Sequence, residues 1–301
     1  MKRLFIIVPL FAVVALGTFF FFHQYVVTAQ VAGQGLEVSP PSQEVIIDPG
    51  TTKTIKAKLT NKSDSTLPIE VRIEDFTAKG NEGQIELTTT SDYSVSSWTD
   101  LSTNSFTLAP GEAREVTATI TAPSDAAGSR FGSFVFAIKA DDQPGAASIS
   151  QQIASLFLVK ISGPVDEKLN IISFSAPMFS EFSPVTFAIN FGNEGNVYSK
   201  ARGLVNVTDT FGNKVADVVV DETNIFPGAE RIVNATLDNQ FLIGKYTATA
   251  LIYYGEDNTN LTATTTFFVF PLRIAAVVIA VLFVLYFLRK RLKKAGKALF
   301  G

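Results

Sequence analysis

The sequence predicts an all-β fold: two tandem immunoglobulin-like β-sandwich domains, plus an N-terminal signal segment and a C-terminal transmembrane helix. Three observations predict this class. Apolar and polar residues alternate through the middle of the chain, Pro-Gly turn signals separate the alternating stretches, and a long apolar run lies near each end. The 301 residues leave room for about two domains of ordinary size between those runs.

Period-two alternation is the evidence for strands. In the stretch KTIKAKLTN, the apolar residues Ile55, Ala57 and Leu59 alternate with Lys56 and Lys58. The same pattern predicts the apolar strand faces at Ile69, Val71, Ile73, Val116, Ala118, Ile120, Phe134, Phe136, Ile138, Val185, Phe187, Ile189, Tyr246, Ala248, Leu251 and Tyr253. No amphipathic helical stretch of useful length competes with these strands.

One supersecondary element occurs three times: a short apolar strand, a Pro-Gly turn, a few polar residues and a long alternating strand. Proline presets the first turn dihedral and glycine accepts the positive φ that a type II turn requires. We therefore expect tight strand connections, without ligand contact, at Pro49, Gly50, Pro110, Gly111, Pro227 and Gly228.

The domain boundary is predicted at Gly163-Pro164, between the apolar strand ASLFLVKIS and the next strand, KLNIISFSAP. The first domain then covers residues 36–162 and the second covers residues 164–270. Because no flexible linker separates the second domain from the C-terminal apolar run, this domain is expected to lie close to the membrane.

The N-terminal run, Leu4 to Phe22, follows Lys2 and Arg3 and precedes a small-residue pattern that ends at Ala29. This arrangement predicts a secretory signal peptide over residues 1–29. The run is longer than a usual signal core, so an uncleaved anchor is the alternative.

The C-terminal run, Ile274 to Leu288, is followed by six basic residues. Counting back to Phe267 gives 22 residues, enough to cross a bilayer. The prediction is a transmembrane helix at 271–288 and a basic cytoplasmic tail at 289–301. Positive charge at both ends indicates a single-pass protein of the cell membrane, with its ectodomain outside and its C-terminus cytoplasmic.

The ectodomain is acidic and lacks cysteine. Its 16 basic residues against 28 acidic ones give a net charge of −12, which disfavours nucleic-acid partners. Because the chain has no cysteine, disulfides cannot stabilise it.

The residue types also exclude most catalytic chemistry. The only histidine, His23, lies in the signal segment, so the ectodomain has neither imidazole nor thiol for nucleophilic catalysis or a zinc site. No enzyme activity, metal or cofactor is predicted. Carboxylate hydrolysis, a Ser-Lys dyad and a calcium site are the alternatives. The acidic pairs Asp141-Asp142, Asp166-Glu167, Asp221-Glu222 and Glu256-Asp257 are the only candidates for the carboxylate and calcium chemistry.

Aromatic residues in a Ser/Thr-rich segment are the candidate ligand contacts. Trp98 is the only tryptophan, and Tyr93 and Phe106 lie near it in SDYSVSSWTDLSTNSF. Aromatic side chains in a sandwich loop can stack on a sugar ring. A role in filling the core is the alternative for each of them.

Much of the chain resembles a known family. The stretches LEVSPPSQEVIIDPGTTKTIKAKLTNKSDSTLPIEVRIEDF, GNEGQIEL and FTLAPGEAREVTATITAPSDAAGSRFGSFVFAI resemble the first extracellular domain of the WxL-interacting proteins of bacterial cell surfaces. The second half is similar to the overall plan of those proteins. The resemblance implies a first domain that binds peptidoglycan and a second that binds a partner or host protein.

The predicted function is therefore a membrane-anchored binding scaffold that engages cell-wall glycan, a surface protein or both. An accessory subunit of an envelope secretion or appendage complex is the alternative. The binding surface is expected to be a sheet face or an unpaired edge strand. Neither the partner nor the oligomeric state follows from the sequence.

Overall fold

The computed structural model describes residues 35–139, 151–238 and 242–300, with side chains described through residue 289. In these ranges the chain forms eighteen β-strands, one short 3-10 helix and one α-helix. The predicted signal segment lies outside the described residues.

Ten strands form the first sandwich. They are β1 (Leu36–Ser39), β2 (Ser42–Ile47), β3 (Thr52–Asn61), β4 (Leu67–Lys79), β5 (Gln84–Thr88), β6 (Thr99–Leu101), β7 (Ser105–Leu108), β8 (Ala113–Thr121), β9 (Ser129–Ile138) and β10 (Gln152–Ile161). One sheet has the order β1-β3-β8-β6. The other has the order β2-β10-β9-β4-β5, and β7 also pairs with β4.

Eight strands form the second sandwich. They are β11 (Leu169–Ser175), β12 (Phe179–Ser180), β13 (Val185–Asn193), β14 (Ser199–Asp209), β15 (Lys214–Ile225), β16 (Glu230–Leu237), β17 (Gly244–Tyr254) and β18 (Thr259–Val269). A three-stranded sheet, β11-β13-β16, faces a five-stranded sheet, β12-β18-β17-β14-β15. The fold is therefore all-β with one C-terminal helix.

Each sandwich has its own core, built from the inward residues of both of its sheets. The first is packed with aliphatic residues and the rings of Phe134, Phe136 and Phe157, while the second contains Phe187, Phe191 and Phe267 among valines and alanines. The alternation that predicted the strands also predicted most of these positions, because side chains two apart on a strand point to the same face.

One of these predictions is wrong. Tyr246 and Ala248 are buried, but Leu251 and Tyr253, which were grouped with them, lie on the opposite face of β17 and are partly or largely exposed. The inward positions continue instead at Ala250 and Ile252. The apolar pattern changes parity in the middle of the strand, so the outer face of this sheet carries apolar side chains.

The three Pro-Gly turns form as predicted. Gly50, Gly111 and Gly228 have φ values of 74°, 75° and 69°. In each turn, the N–H of the residue after the glycine donates to the carbonyl of the residue before the proline, at 3.0 to 3.1 Å. These bonds fix the ends of the strands that define each sandwich.

A buried asparagine closes the Pro-Gly corner of the first sandwich. Asn61, the last residue of β3, accepts the N–H of Gly111 through its carbonyl at 2.9 Å. Its side-chain Nδ2 donates to the carbonyls of Ser65 and Leu108 at 2.8 and 3.1 Å, and its Oδ1 accepts the N–H of Ser63 at 2.9 Å. One side chain thus joins two loops.

The second sandwich contains the same corner. Asn193, the last residue of β13, accepts the N–H of Gly228 through its carbonyl at 2.8 Å. Its Nδ2 donates to the carbonyls of Val197 and Ile225, both at 2.8 Å, and its Oδ1 accepts the N–H of Gly195 at 2.9 Å. The two sandwiches are therefore built on one structural plan.

The helix, α1 (Leu272–Phe300), starts three residues after β18 ends. Its Leu272–Arg289 stretch has a mean hydropathy of 2.3, is not buried by the rest of the protein, and is long and apolar enough to cross a membrane. Phe267 and Phe268 belong to β18 rather than to the helix, so counting the membrane segment back to Phe267 is wrong.

Candidate functional site

The two sandwiches meet at a junction formed by one end of each. Ser129, the first residue of β9, is fully buried there. Its backbone N–H donates to the carbonyl of Asn196 at 3.0 Å, and its Oγ accepts the N–H of Tyr198 at 3.0 Å. The N–H of Ile232 also donates to the carbonyl of Asn81 at 2.6 Å. Because these bonds involve the backbone, they fix how the two sandwiches are oriented.

Apolar side chains fill the centre of the junction. We call this group the junction cluster; it consists of Phe76, Phe131, Leu158, Tyr198 and Phe226. The ring centroid of Phe131 lies 4.7 Å from that of Phe226 and 5.6 Å from that of Phe76. Phe131 points away from the core of its own sandwich, so the second sandwich helps to shield it from water. The cluster makes the two sandwiches one packed body.

A partly buried ion pair borders the junction. Lys160 Nζ lies 3.3 Å from Glu167 and 2.8 Å from Glu256, which belongs to the turn between β17 and β18. Burial alone would lower the pKa of Lys160, but its hydrogen bonds to Glu256 and Glu167 outweigh that effect, so the pKa is raised. The pKa of Glu256 is lowered, chiefly by its hydrogen bond to Lys160.

A second charged group joins the sandwiches on another side. Lys200 Nζ lies 2.9 Å from Glu44 on β2 and 3.3 Å from Glu222 on β15. The hydrogen bond to Glu44 is the main reason that the pKa of Lys200 is raised. Burial, and then the charge of Glu44, raises the pKa of the Tyr198 hydroxyl, which stays protonated at neutral pH.

The predicted ligand residues Tyr93 and Trp98 flank a segment that is held by a buried carboxylate. Asp75 is fully buried and accepts hydrogen bonds from Ser94 Oγ at 2.6 Å, from the N–H of Val95 and from the N–H of Ser96, both at 2.9 Å. These bonds satisfy the oxygens of a buried carboxyl group, whose burial without partners would be costly. They also fix the positions of Tyr93 and Trp98.

The structure does not bring the three aromatic residues together as one site. Phe106 is buried in the first core, with the Arg114 guanidinium 4.7 Å from its ring centroid. Trp98 packs against the same core under Arg130, whose guanidinium lies 5.2 Å from its ring. Tyr93 packs against the junction cluster. A ligand role for these three residues stays a prediction.

Tyr93 also borders an open recess on the surface. The recess encloses about 600 Å³ and is lined by Thr77, Thr89, Thr90, Ser91, Asp92, Tyr93 and Ser94. Its lining is mainly hydroxyl groups, with one aromatic ring and one carboxylate. Of the three predicted aromatic residues, Tyr93 is the one that lines it.

The acidic pairs do not form a metal site in the described part of the chain, where no three carboxylates, histidines or cysteines come together. Glu167 and Glu256 face Lys160, and Glu222 faces Lys200 and Arg202. Their charges are therefore matched by cations. Asp141 and Asp142 lie outside the described residues.

The outer face of the five-stranded sheet carries the surface that sequence reasoning missed. Leu204 on β14 lies directly between Val219 on β15 and Leu251 on β17. Val219 is 71% exposed. Tyr253, two residues after Leu251 on β17, is 43% exposed. We call the surface formed by Leu204, Val219, Leu251 and Tyr253 the docking face.

Polar side chains surround the docking face. Thr262 continues its central row on β18, and Asp217, Asn206 and Thr249 form the next row toward the membrane helix. Arg202 lies opposite Tyr253 and donates to Asn258 Oδ1 at 2.7 Å. An apolar centre with a polar rim is the usual arrangement of a protein-binding surface.

The docking face reaches a free sheet edge. Among the described strands, the twelve-residue β15 pairs only with β14, and Val219 lies on this edge. An unpaired edge offers backbone N–H and C=O groups to a strand of another chain. The parity change in KYTATALIYYG was the signal in the sequence, because strict alternation from Tyr246 leaves Leu251 and Tyr253 outside.

No protein-family model and no curated protein matches the chain. A chaperone–tip adhesin complex of CFA/I fimbriae is 13% identical, with 76% of this chain and 98% of that chain covered and a TM-score of 0.41. The class 5 fimbriae chaperone CfaA is 15% identical over the same shares, with a TM-score of 0.40. A CsuC–CsuE chaperone–tip subunit complex from Acinetobacter baumannii is 9% identical, covers 76% and 97%, and has a TM-score of 0.38.

The resemblance to WxL-interacting proteins is therefore wrong as an assignment. No family model supports it, and these structural matches are fimbrial chaperones. Peptidoglycan binding, which that resemblance implied for residues 36–162, loses its basis. Similarity at this level of identity and TM-score identifies neither a partner nor a function for this chain.

Proposed function

We propose that the protein is a membrane-anchored binding subunit of a cell-envelope assembly, which holds a partner protein on the docking face of its second sandwich. The observation that carries this proposal is the row of apolar side chains Val219, Leu204 and Leu251 on a polar sheet face, in which Val219 is 71% exposed and the two leucines are partly buried. Water contact at such a row is unfavourable, and a partner protein would remove it.

The anchor in this proposal is α1. Its apolar stretch has 18 residues, and at 1.5 Å per residue it is about 27 Å long, close to the hydrocarbon thickness of a bilayer. We infer that the sandwiches lie outside and that the basic tail lies in the cytoplasm, following the positive-inside rule. Because the junction fixes the two sandwiches to each other, the anchor also determines where the first sandwich lies.

Site-specific crosslinking tests the docking face. A photo-reactive residue at Val219 should form an adduct with one dominant protein in intact cells, because Val219 is the most exposed side chain of the docking face. Thr264, on the outer face of β18 and two residues along from the row, is the matched control and should crosslink weakly. Equal labelling at the two positions, or an adduct only with a second copy of the chain, would contradict the proposal.

A charge substitution tests the same surface without a probe. Val219→Asp replaces an exposed apolar side chain, so the fold should tolerate it. Co-purification of the partner identified by crosslinking should fall about tenfold or more, because a charge would replace the most exposed apolar contact of the docking face. Thr264→Asp is the control. A Val219→Asp chain that retains its partner fully would argue against this face.

The orientation is testable because the chain has no cysteine. A single cysteine at Thr264 should react with a membrane-impermeant maleimide added to intact cells. A single cysteine at Lys297 should react only after the membrane is opened. The reverse pattern would show that the proposed topology is wrong.

A further inference from the structure

Three connections of the second sandwich lie at the end from which α1 leaves. The register pairs Gly244 with Val269, so β17 begins where β18 ends. Asp209 pairs with Tyr246, which places the β14–β15 turn at that end, and Val185 pairs with Leu237, which places the start of β13 there. The β11–β13 connection, the β14–β15 turn and the approach to β17 therefore surround the exit of the chain toward the helix.

This end exposes large apolar side chains. We call them the apolar collar; they are Met178, Phe179, Phe182, Phe211, Ile243 and Phe268. Met178 is 89% and Phe211 is 90% exposed. Of the ten large apolar residues that are exposed in the described chain before α1, six belong to this collar. Such a concentration at one end of a soluble sandwich is unfavourable in water.

The turn that presents Phe211 is well defined. The Asp209 carboxylate accepts the N–H of Phe211 at 2.8 Å and the N–H of Asn213 at 2.9 Å. Hydrogen bonding, first from the Asn213 side chain, lowers the pKa of Asp209, so the carboxylate is ionised when it makes these bonds. Gly212 has a φ of 83° and completes the turn. Phe211 is thus held outward at its tip.

The collar is firmly connected to the helix. The N–H of Phe268 donates to the carbonyl of Met178 at 3.1 Å, and the N–H of Phe270 donates to that of Ser180 at 3.0 Å. Arg273, in the first turn of α1, lies 3.1 Å from Glu181. These contacts span the short passage from strand to helix, so the collar and the helix start stay together.

We propose that the apolar collar lies in the interfacial layer on the side of the membrane that faces the sandwiches, where it forms a second lipid contact beside α1. The proposal rests on α1 as the membrane anchor. Only Phe270 and Pro271 separate β18 from the helix, so this end of the sandwich must lie at headgroup level if α1 spans the bilayer. Aromatic and long apolar side chains are favourable in that layer, where the apolar part is buried and the backbone still meets water.

Tryptophan fluorescence in lipid tests this contact. The full chain is reconstituted in vesicles of phosphatidylcholine and phosphatidylglycerol, with and without brominated acyl chains as the quencher. In the wild-type chain Trp98 is the only tryptophan, so its emission is the baseline. Phe211→Trp and, separately, Met178→Trp should each add emission that brominated lipid mostly removes. Val219→Trp is the control for the same sandwich, and its added emission should persist.

One further reporter separates this proposal from the anchor on which it rests. Tyr286→Trp places the probe within α1, and its emission should be quenched if the helix spans the bilayer. Quenching at position 286 without quenching at 211 and 178 would overturn the collar proposal and leave the anchor intact. Absence of quenching at 286 would overturn both.

Discussion

The two sandwiches end in the same Pro-Gly corner. The first sandwich covers the corner of the second one, whereas the corner of the first sandwich, around Asn61 and Gly111, is not covered in this way; we call it the free corner. After Asn61 the loop continues through Ser65 and Thr66, which are exposed; after Asn193 the equivalent positions are Val197 and Tyr198, which are buried. The asparagine network is the same in both. The comparison shows that the asparagine network forms without a domain contact. The domain contact is associated instead with a change of two loop residues from polar to apolar.

The largest expected effect is at the centre of that contact. Phe131→Ala leaves a cavity in the junction cluster, and we expect a loss of about 3–5 kcal/mol in the free energy of unfolding, typical of a buried Phe→Ala change. Urea unfolding in detergent would measure it, with Trp98 fluorescence reporting the first sandwich and circular dichroism reporting both.

Phe131→Ala should also uncouple the two sandwiches, so that the two probes no longer give the same transition. Phe134→Ala, in the first core, is the matched control, and it should destabilise the first sandwich comparably. If the junction couples the two sandwiches, both should still unfold together in this variant. A second sandwich that stays folded after the first has unfolded would mean that the junction contributes little. A loss below about 1 kcal/mol for Phe131→Ala would mean that the junction is not well packed.

The second comparison uses two glycines with nearly the same backbone conformation. Gly128 at the junction has a φ of 77°, and a Cβ there would lie 2.5 Å from the carbonyl oxygen of Asn196. Gly111 at the free corner has a φ of 75° and open space around the same position. Gly111→Ala should cost about 1–2 kcal/mol from the strained backbone alone.

Gly128→Ala should cost clearly more than Gly111→Ala, because the methyl group meets backbone that cannot move without breaking the Ser129–Asn196 hydrogen bond. Thermal unfolding of the two variants under identical conditions compares them. Equal melting temperatures would show that the junction yields easily at this point.

The third comparison tests the shared corner itself. Asn61→Ala and Asn193→Ala each leave buried carbonyl groups without a donor, so each should cost about 2–3 kcal/mol. The exposed Asn234→Ala on β16 should change stability by less than about 0.5 kcal/mol. Chemical denaturation measures all three. A marginal effect at Asn61 with a large one at Asn193 would mean that the corner depends on the domain contact.

The strand pattern and the turns could be predicted because both arise from local physics. Ile55, Ala57 and Leu59 alternate with lysines, and Gly111 follows a proline, so neighbouring residues carry the signal. The junction could not be predicted in this way. Phe131 has the parity of an outward residue, and only the position of the second sandwich, which is a long-range property, explains its burial.

The residues of the candidate site could likewise be predicted only in part. Leu251 and Tyr253 could have been assigned to the outer face by extending the alternation from Tyr246 strictly. Trp98 and Phe106 stand in a Ser/Thr-rich segment that has the composition of a binding loop, yet both pack against the first core. Local composition could not distinguish these outcomes, because the burial of a loop aromatic depends on which strands fold over it.

The smallest expected effect concerns charge at the two locations. At the free corner, Lys62 lies 2.8 Å from Glu37, and both side chains are more than half exposed; at the junction, Lys160 is 16% exposed beside Glu167 and Glu256. Hydrogen bonds to Lys62 and to Lys160 lower the pKa values of Glu37 and Glu256 respectively. A carboxylate with a lowered pKa stabilises the folded state at neutral pH, and this contribution is lost as the pH falls from about 4.5 through the lowered pKa.

Removing each lysine separates the two contributions. Lys160→Met should reduce the loss of stability between about pH 6 and about pH 3 more than Lys62→Met does, because Lys160 is 16% exposed and faces two carboxylates, whereas Lys62 is 58% exposed and faces one. Denaturation midpoints measured across this pH range provide the comparison. If Lys62→Met changed the acid limb as much as Lys160→Met, burial at the junction would add nothing to the ion pair, and the junction would be held by its apolar and backbone contacts alone.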